Sequence, residues 1–115
     1  MAEKIKVIRG LLDEASLSHI KLSVAEVGGV FYSDELIKSV DVIMPNLYPF
    51  WQGNSLSEAV TIQENLSTDM NARAVDKPVI LGEIGWPTAG NQVGQAMPTI
   101  ENLQKFIRGA KILLC

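Results

Sequence analysis

The sequence predicts an α/β fold in which parallel strands alternate with helices, and two observations carry that prediction. Apolar positions switch repeatedly between helical spacing and short apolar or alternating runs, and a helical segment separates each run from the next. Strand, helix and strand in that succession make a parallel sheet with crossover connections, either an open doubly wound sheet or part of a barrel. The 115 residues, 47% of them hydrophobic, suffice for one small core that buries roughly two-thirds of the unfolded surface.

Each element has its own signal. From Glu3 to Ala15 the apolar positions Ile5, Ile8, Leu12 and Ala15 recur at helical spacing and predict a helix with one buried face. Ile20 to Val24 alternates apolar and polar and predicts a short strand, ending at Glu26 before the Gly28-Gly29 breaker. Ser33, followed by Asp34-Glu35, reads as a capped helix of about two turns that ends near Ser39. Val40 to Met44 is the second predicted strand, and Pro45 and Pro49 push Asn46-Leu47-Tyr48 into an extended or turn conformation, placing Tyr48 on a loop.

Ser55-Leu56-Ser57-Glu58 has capping-box spacing and starts a helix running to about Ala72. Lys77-Pro78 opens a third strand, Val79 to Gly82, with proline at its first position. After Trp86 a Gly/Asn/Gln-rich loop leads to Pro98, and Ile100, Leu103, Phe106, Ile107 and Ala110 mark a last helix.

Composition excludes several classes of function. A net charge of −3, with no Lys/Arg run interleaved with aromatics, gives no field for a phosphate backbone, so nucleic acid is not expected as a partner. No apolar run reaches about 18 residues, and the amphipathic N-terminus does not resemble a signal peptide; no membrane segment is expected, and the compartment is left open. The single Cys115 excludes an internal disulfide and a cysteine metal site, and His19 has no second histidine nearby. Asn65-Leu66-Ser67 fits the glycosylation pattern but falls within a predicted helix.

The strand ends carry the chemistry. No Gly-rich phosphate loop follows any strand, whereas all three end in polar groups: Glu26, then Asn46 and Tyr48, then Glu83. In a parallel barrel these ends share the face on which active sites are built. Glu83 is the most telling, because a carboxylate at the end of an apolar strand costs several kcal/mol in desolvation unless it is paired or used. The alternative for Glu83 is a structural pairing with Lys77 or Arg73. For Glu26 the alternative is a strand-end charge in solvent or bound to a helix N-terminus, for Asn46 a turn cap, and for Tyr48 and Trp86 simple packing beside prolines.

The stretch Gly82-Glu83-Ile84-Gly85-Trp86-Pro87-Thr88-Ala89-Gly90 resembles the signature of the family 17 glycoside hydrolases, the β-1,3-glucanases and glucanosyltransferases. Val24-Ala25-Glu26, Asn46-Leu47-Tyr48-Pro49-Phe50-Trp51 and Ala96-Met97-Pro98-Thr99-Ile100-Glu101-Asn102 are similar to further segments of that family, in the same order. The resemblance implies a (β/α)8 TIM barrel, of which residues 1–115 are expected to form one partial domain, about strands five to seven, truncated at both ends. It implies a retaining mechanism without metal or organic cofactor, with Glu83 as the attacking carboxylate and Tyr48 supporting it by a hydrogen bond. The substrate-binding residues it implies are Glu26, Asn46, Phe50, Trp51 and Trp86, the aromatics offering flat faces to the sugars of a β-glucan. The family's general acid lies in a Gly-Asn-Glu motif on the preceding strand, and this sequence has no such motif. The isolated chain is therefore expected to be inactive, or at most a weak glucan binder, and to self-associate through open barrel edges. Relatives of this kind are commonly secreted or wall-associated.

Overall fold

The computed structural model describes residues 1–74 and 76–109. Three parallel strands, β1 (Ala25–Val27), β2 (Met44–Leu47) and β3 (Glu83–Ile84), form one sheet in sequence order with β2 central. The helices are α1 (Ala2–Glu14), α2 (Asp34–Ser39), α3 (Leu56–Ala74) and α4 (Ile100–Gly109). The expected parallel α/β architecture is therefore present. Ala110 and Cys115, on which the sequence reading also drew, lie outside the described residues.

All three strands sit later in the chain than their apolar runs suggested, for local reasons. Residues 20–24 lie beside residues 41–42, but side chains replace much of the ladder there. Leu22 N–H donates to Asp41 Oδ2 at 2.8 Å, and the Ser23 hydroxyl donates to the Val42 carbonyl at 2.6 Å. Arg9 on α1 pairs with the same Asp41 carboxylate and donates to the Ile20 carbonyl at 3.0 Å. Regular pairing starts only at Ala25, opposite Met44.

At the foot of β3, the Lys77 ammonium donates to the carbonyls of Ile37 at 2.6 Å and Val40 at 2.7 Å. This cation satisfies the end of α2, where the helix leaves carbonyls without partners and the dipole is negative. The start of α2 has the predicted cap, with Leu36 N–H donating to Ser33 Oγ at 3.4 Å. The capping box of α3 is also formed: Glu58 Oε2 accepts from Ser55 N–H at 2.8 Å, and Glu58 N–H donates to Ser55 Oγ at 3.4 Å.

Pro45 lies inside the central strand, where a missing donor is normally not tolerated. The register shows why it is tolerated here. Ile43 pairs with Val79 and Asn46 pairs with Glu83, so β2 advances three residues while the facing chain advances four. The extra residue is a β-bulge at 80–82, opposite the proline. Regular pairing would need an amide at position 45 to donate to the Ile80 carbonyl, and Pro45 has none. Gly82 N–H still makes the regular bond to the Pro45 carbonyl at 2.9 Å, so only the donor to Ile80 is missing, and the extra residue falls between that bond and the Asn46–Glu83 pair.

Two clusters fill the helix-covered face. The first joins Ile5, Phe31, Leu36, Ile37, Val40, Ile43, Met70 and Ala74, with Val79 against it. The second joins Phe50, Ala59, Trp86, Ala96 and Phe106, with Ile84 against it. The helix α1 departs from its predicted single buried face: Ile5 is buried and Leu12 half-buried, but Ile8 and Ala15 are exposed. Its neighbour α2 has only two turns and covers only part of α1. The other face of the sheet, with Ala25, Val27 and Ile80, is largely open.

Candidate active site

Glu83 reaches the open face because of the bulge. Strand side chains alternate with period two, so Val79, packed in the first cluster, would in unbroken register put Glu83 on the same helix-covered face. The additional residue reverses that phase. Glu83 then shares a row with Asn46 and Val27, and Ile84 turns inward beside Leu47. The carboxylate is exposed, which corrects the premise that its cost is one of burial. What singles Glu83 out is its partner: the Tyr48 hydroxyl donates a hydrogen bond to Glu83 Oε2.

The structural alternatives for Glu83 are occupied elsewhere. Lys77 caps α2, and Arg73 pairs with Asp34 at 3.5 Å while its guanidinium lies 4.8 Å from the centre of the Tyr32 ring. Asn46 is no turn cap; its Oδ1 is buried, without a hydrogen-bond partner, and lies against Gly82. Glu26 pairs in register with Pro45, one residue out of phase with the Glu83 row, and its Oε1 accepts from the neighbouring Val27 N–H at 2.9 Å. The three polar strand ends are therefore not equivalent: Asn46 and Glu83 share a row, and Glu26 does not.

The aromatics divide in the same way. Phe50 and Trp86 are 2% and 4% exposed and pack edge to face with centroids 5.4 Å apart. Trp86 also contacts Phe106, and its indole N–H donates to the Met97 carbonyl at 2.8 Å. Their rings are covered by protein, so the packing alternative describes Trp86 and the flat sugar platform expected of both is not free. Trp51, by contrast, is 70% exposed and flanks a cavity of about 630 Å³.

That cavity brings in residues the sequence reading did not select. Gln52, Tyr32, Asn65 and Asp69 line it alongside Asn46 and Tyr48. Tyr32 donates to Asp69 Oδ2 at 3.0 Å across 37 positions, and that carboxylate raises the phenol above its ordinary pKa. No local pattern announces a pair so far apart. Asn65, noticed only for its glycosylation pattern, is exposed on α3 at the cavity edge.

Among the described residues no group of three or more His, Cys, Asp or Glu is placed to hold a metal ion. None of the described helices is long and apolar enough to cross a membrane.

Comparison with known proteins places this geometry. The chain is 28% identical over 119 residues to a glucan 1,3-beta-glucosidase of Schizosaccharomyces pombe, covering 96% of this chain and 37% of that protein. It is likewise 28% identical to a probable glucan endo-1,3-beta-glucosidase of Aspergillus niger, covering 92% of this chain and 24% of that protein. Among solved structures, a glycoside hydrolase family 17 beta-1,3-glucanosyltransferase from Rhizomucor miehei superposes with a TM-score of 0.77 at 28% identity, over 91% of this chain and 38% of that one. An active-site mutant of the Rhizomucor miehei beta-1,3-glucanosyltransferase, in complex with laminaritriose, gives a TM-score of 0.80 at 26% identity, over 95% and 40%. The chain thus spans about two-fifths or less of the length of these relatives. The parallel α/β sheet fits a piece of such a barrel, and the sequence resemblance to family 17 is borne out. The family model of the BtgE/BtgC glycoside hydrolase domain matches residues 1–113, and the chain belongs to that family.

Proposed function

We propose that this chain is the nucleophile-bearing segment of a retaining glycoside hydrolase that acts on β-1,3-glucan, by hydrolysis or glucanosyl transfer. The observation that carries the reading is Glu83, turned onto the open sheet face as the first residue of β3 and hydrogen-bonded by Tyr48, within Gly82-Glu83-Ile84-Gly85-Trp86-Pro87. In this reading β1 to β3 are strands five to seven, and the chain, residues 1–115, belongs to a partial barrel domain. The names of the relatives and the laminaritriose bound by one structural neighbour support the substrate class.

Glu83 attacks the anomeric carbon while Tyr48 holds the carboxylate in one rotamer. A glycosyl ester forms, the glycosidic C–O bond breaks, and an acid outside this segment protonates the departing oxygen. Such two-carboxylate sites place the groups about 5–5.5 Å apart. The partner the structure gives Glu83 is a phenol, and Glu26 lies out of phase, which supports a general acid supplied from elsewhere. Asn46 and Trp51 contact sugar, with Glu26 at the rim; Phe50 and Trp86 serve the site from behind by packing. No metal or organic cofactor enters this scheme.

A glycosyl fluoride tests the two halves separately, because fluoride leaves without a general acid. Incubation with a 2-fluoro-β-laminaribiosyl fluoride is expected to place a glycosyl adduct on Glu83, read by peptide mass spectrometry and absent from Glu83→Gln. Labelling elsewhere, or none, overturns the nucleophile assignment. Laminarin, whose leaving group needs a proton, is expected to show no detectable turnover by the same chain. Hydrolysis abolished by Glu83→Gln would overturn the assignment of the acid to another segment.

A second reading is favoured by Trp51, exposed beside the 630 Å³ cavity with Gln52 and Asn65: a segment that binds glucan weakly without turning it over. Saturable laminarin binding lost in Trp51→Ala, together with no Glu83 adduct, would select it.

A further inference from the structure

We infer that Gly82 is a positioning residue for Glu83: its missing side chain lets the bulge opposite Pro45 close, and the closed bulge delivers the carboxylate to Tyr48. The inference rests on the nucleophile reading for its functional meaning, but its geometry stands on the strand register.

The helix-covered face needs Val79 and Ile84 on the same side, one in each core cluster. They are five residues apart, an odd number, and an unbroken strand sends residues at odd spacing to opposite faces. One residue must therefore be absorbed between them, and the register absorbs it at 80–82. The result is that Gly82 and Glu83, consecutive in sequence, both face the open side. Two consecutive side chains on one face compete for the same space. At Gly82 that space is already taken: a Cβ there would lie 2.6 Å from Asn46 Oδ1, 3.3 Å from the Met44 carbonyl and 3.6 Å from the Ala25 Cβ. The first distance is shorter than any ordinary contact, and the second leaves backbone no room to give.

Gly82 is not required by its dihedrals, since it is not among the residues of positive φ. The requirement is steric and comes from Asn46, the residue paired with Glu83 across the strands. Asn46, Gly82 and Glu83 thus form one unit. The amide of Asn46 packs over the glycine, and the glycine allows the following carboxylate to stand beside the amide.

The test is Gly82→Ala in this chain, read by NMR. Nuclear Overhauser contacts between the Tyr48 ring and the Glu83 side chain are expected to disappear, while those of Val79 with Ile43 and of Ile84 with the second cluster persist. The double variant Asn46→Ala/Gly82→Ala is expected to recover the Tyr48–Glu83 contact, because the closest obstruction is gone. Ile80→Ala, on the same face but 48% exposed, is expected to leave it unchanged. Persistence of the contact in Gly82→Ala overturns the inference. If Gly82→Ala fails to fold, recovery of fold and contact in the double variant supports it; failure of both assigns Gly82 to stability alone and overturns it. Glycosyl-fluoride labelling is independent of these contacts, so a failed nucleophile assignment is distinguishable from a failed positioning role.

Discussion

The two outer strands of the sheet end alike in sequence and differently in space. At the β1 end, Glu26 follows two small or apolar residues and is held by the backbone of its own neighbour, out of phase with the central row. At the β3 end, Glu83 also follows an apolar run, but a bulge turns it into the row of Asn46 and gives it the Tyr48 hydroxyl. Behind β3 stands an aromatic stack, Phe50 edge to face with Trp86 and Trp86 tilted against Phe106; behind β1 stand a short 3-10 helix, Gly28–Tyr32, and mainly aliphatic packing around Phe31. Two carboxylates that look alike in sequence thus differ in phase, in hydrogen-bond partner and in the packing behind their strands.

The strongest way to break the comparison is to remove the stack. Trp86→Ala is expected to cost about 3–5 kcal/mol, the range for deleting a large buried aromatic, measured by urea denaturation. Trp51→Ala, at the exposed site, is expected to stay within about 0.5 kcal/mol. Equal losses would mean that the backing of β3 is not what distinguishes it.

The open face and unpaired edges predict the next effect. Val27 and Ile80 are exposed on that face, and Val7, Ile8 and Leu11 are exposed on α1. Sedimentation velocity is expected to show concentration-dependent self-association, since unpaired edges and exposed apolar surface both favour it. A single monomeric boundary across the concentration range would contradict that.

A smaller effect separates the two carboxylates. Tyr48→Phe is expected to destabilise by about 1 kcal/mol or less, the net worth of an accessible hydrogen bond, and to release the Glu83 rotamer, visible as averaged side-chain couplings. Glu26→Gln is expected to leave both quantities unchanged. If Glu26→Gln also alters the Glu83 couplings, the two strand ends are linked and the comparison fails.

The smallest effect belongs to the cap of α3, which serves the β3 end through Ala59. Hydrogen bonds from the backbone and hydroxyl of Ser55 hold the Glu58 carboxyl below its ordinary pKa of 4.5. The folded state therefore binds that proton less readily than the unfolded chain. The contribution is complete above 4.5 and fades as pH falls through the lower folded value. Acid titration is expected to loosen the first turn of α3, seen as faster Ser55 amide exchange, and Glu58→Gln is expected to remove that pH dependence.

Much of this was legible in the chain. Helical spacing, the Ser33 cap and the Ser55/Glu58 box specify elements that need only their own neighbours, because capping and periodicity are local interactions. The motif around Glu83 likewise carried the family, since the Gly-Glu-Ile-Gly-Trp-Pro order is chemistry written in sequence. The strand limits were misplaced by several residues because the side chains of Asp41 and Ser23 replace ladder bonds, and no pattern of apolar residues reports that. The burial of Phe50 and Trp86 was also invisible, since an aromatic that packs and one that stacks on a ligand share the same letter.

By itself, the sequence determined that this is a parallel α/β chain of a glycoside hydrolase family, with Glu83 and Tyr48 near the ends of adjacent apolar runs. Only the tertiary structure decided which carboxylate joins the row of Asn46 and meets Tyr48. Phase depends on how many residues two paired strands spend between the same two contacts. That count belongs to the pair of strands, Ile43 to Asn46 against Val79 to Glu83, and neither strand holds it alone.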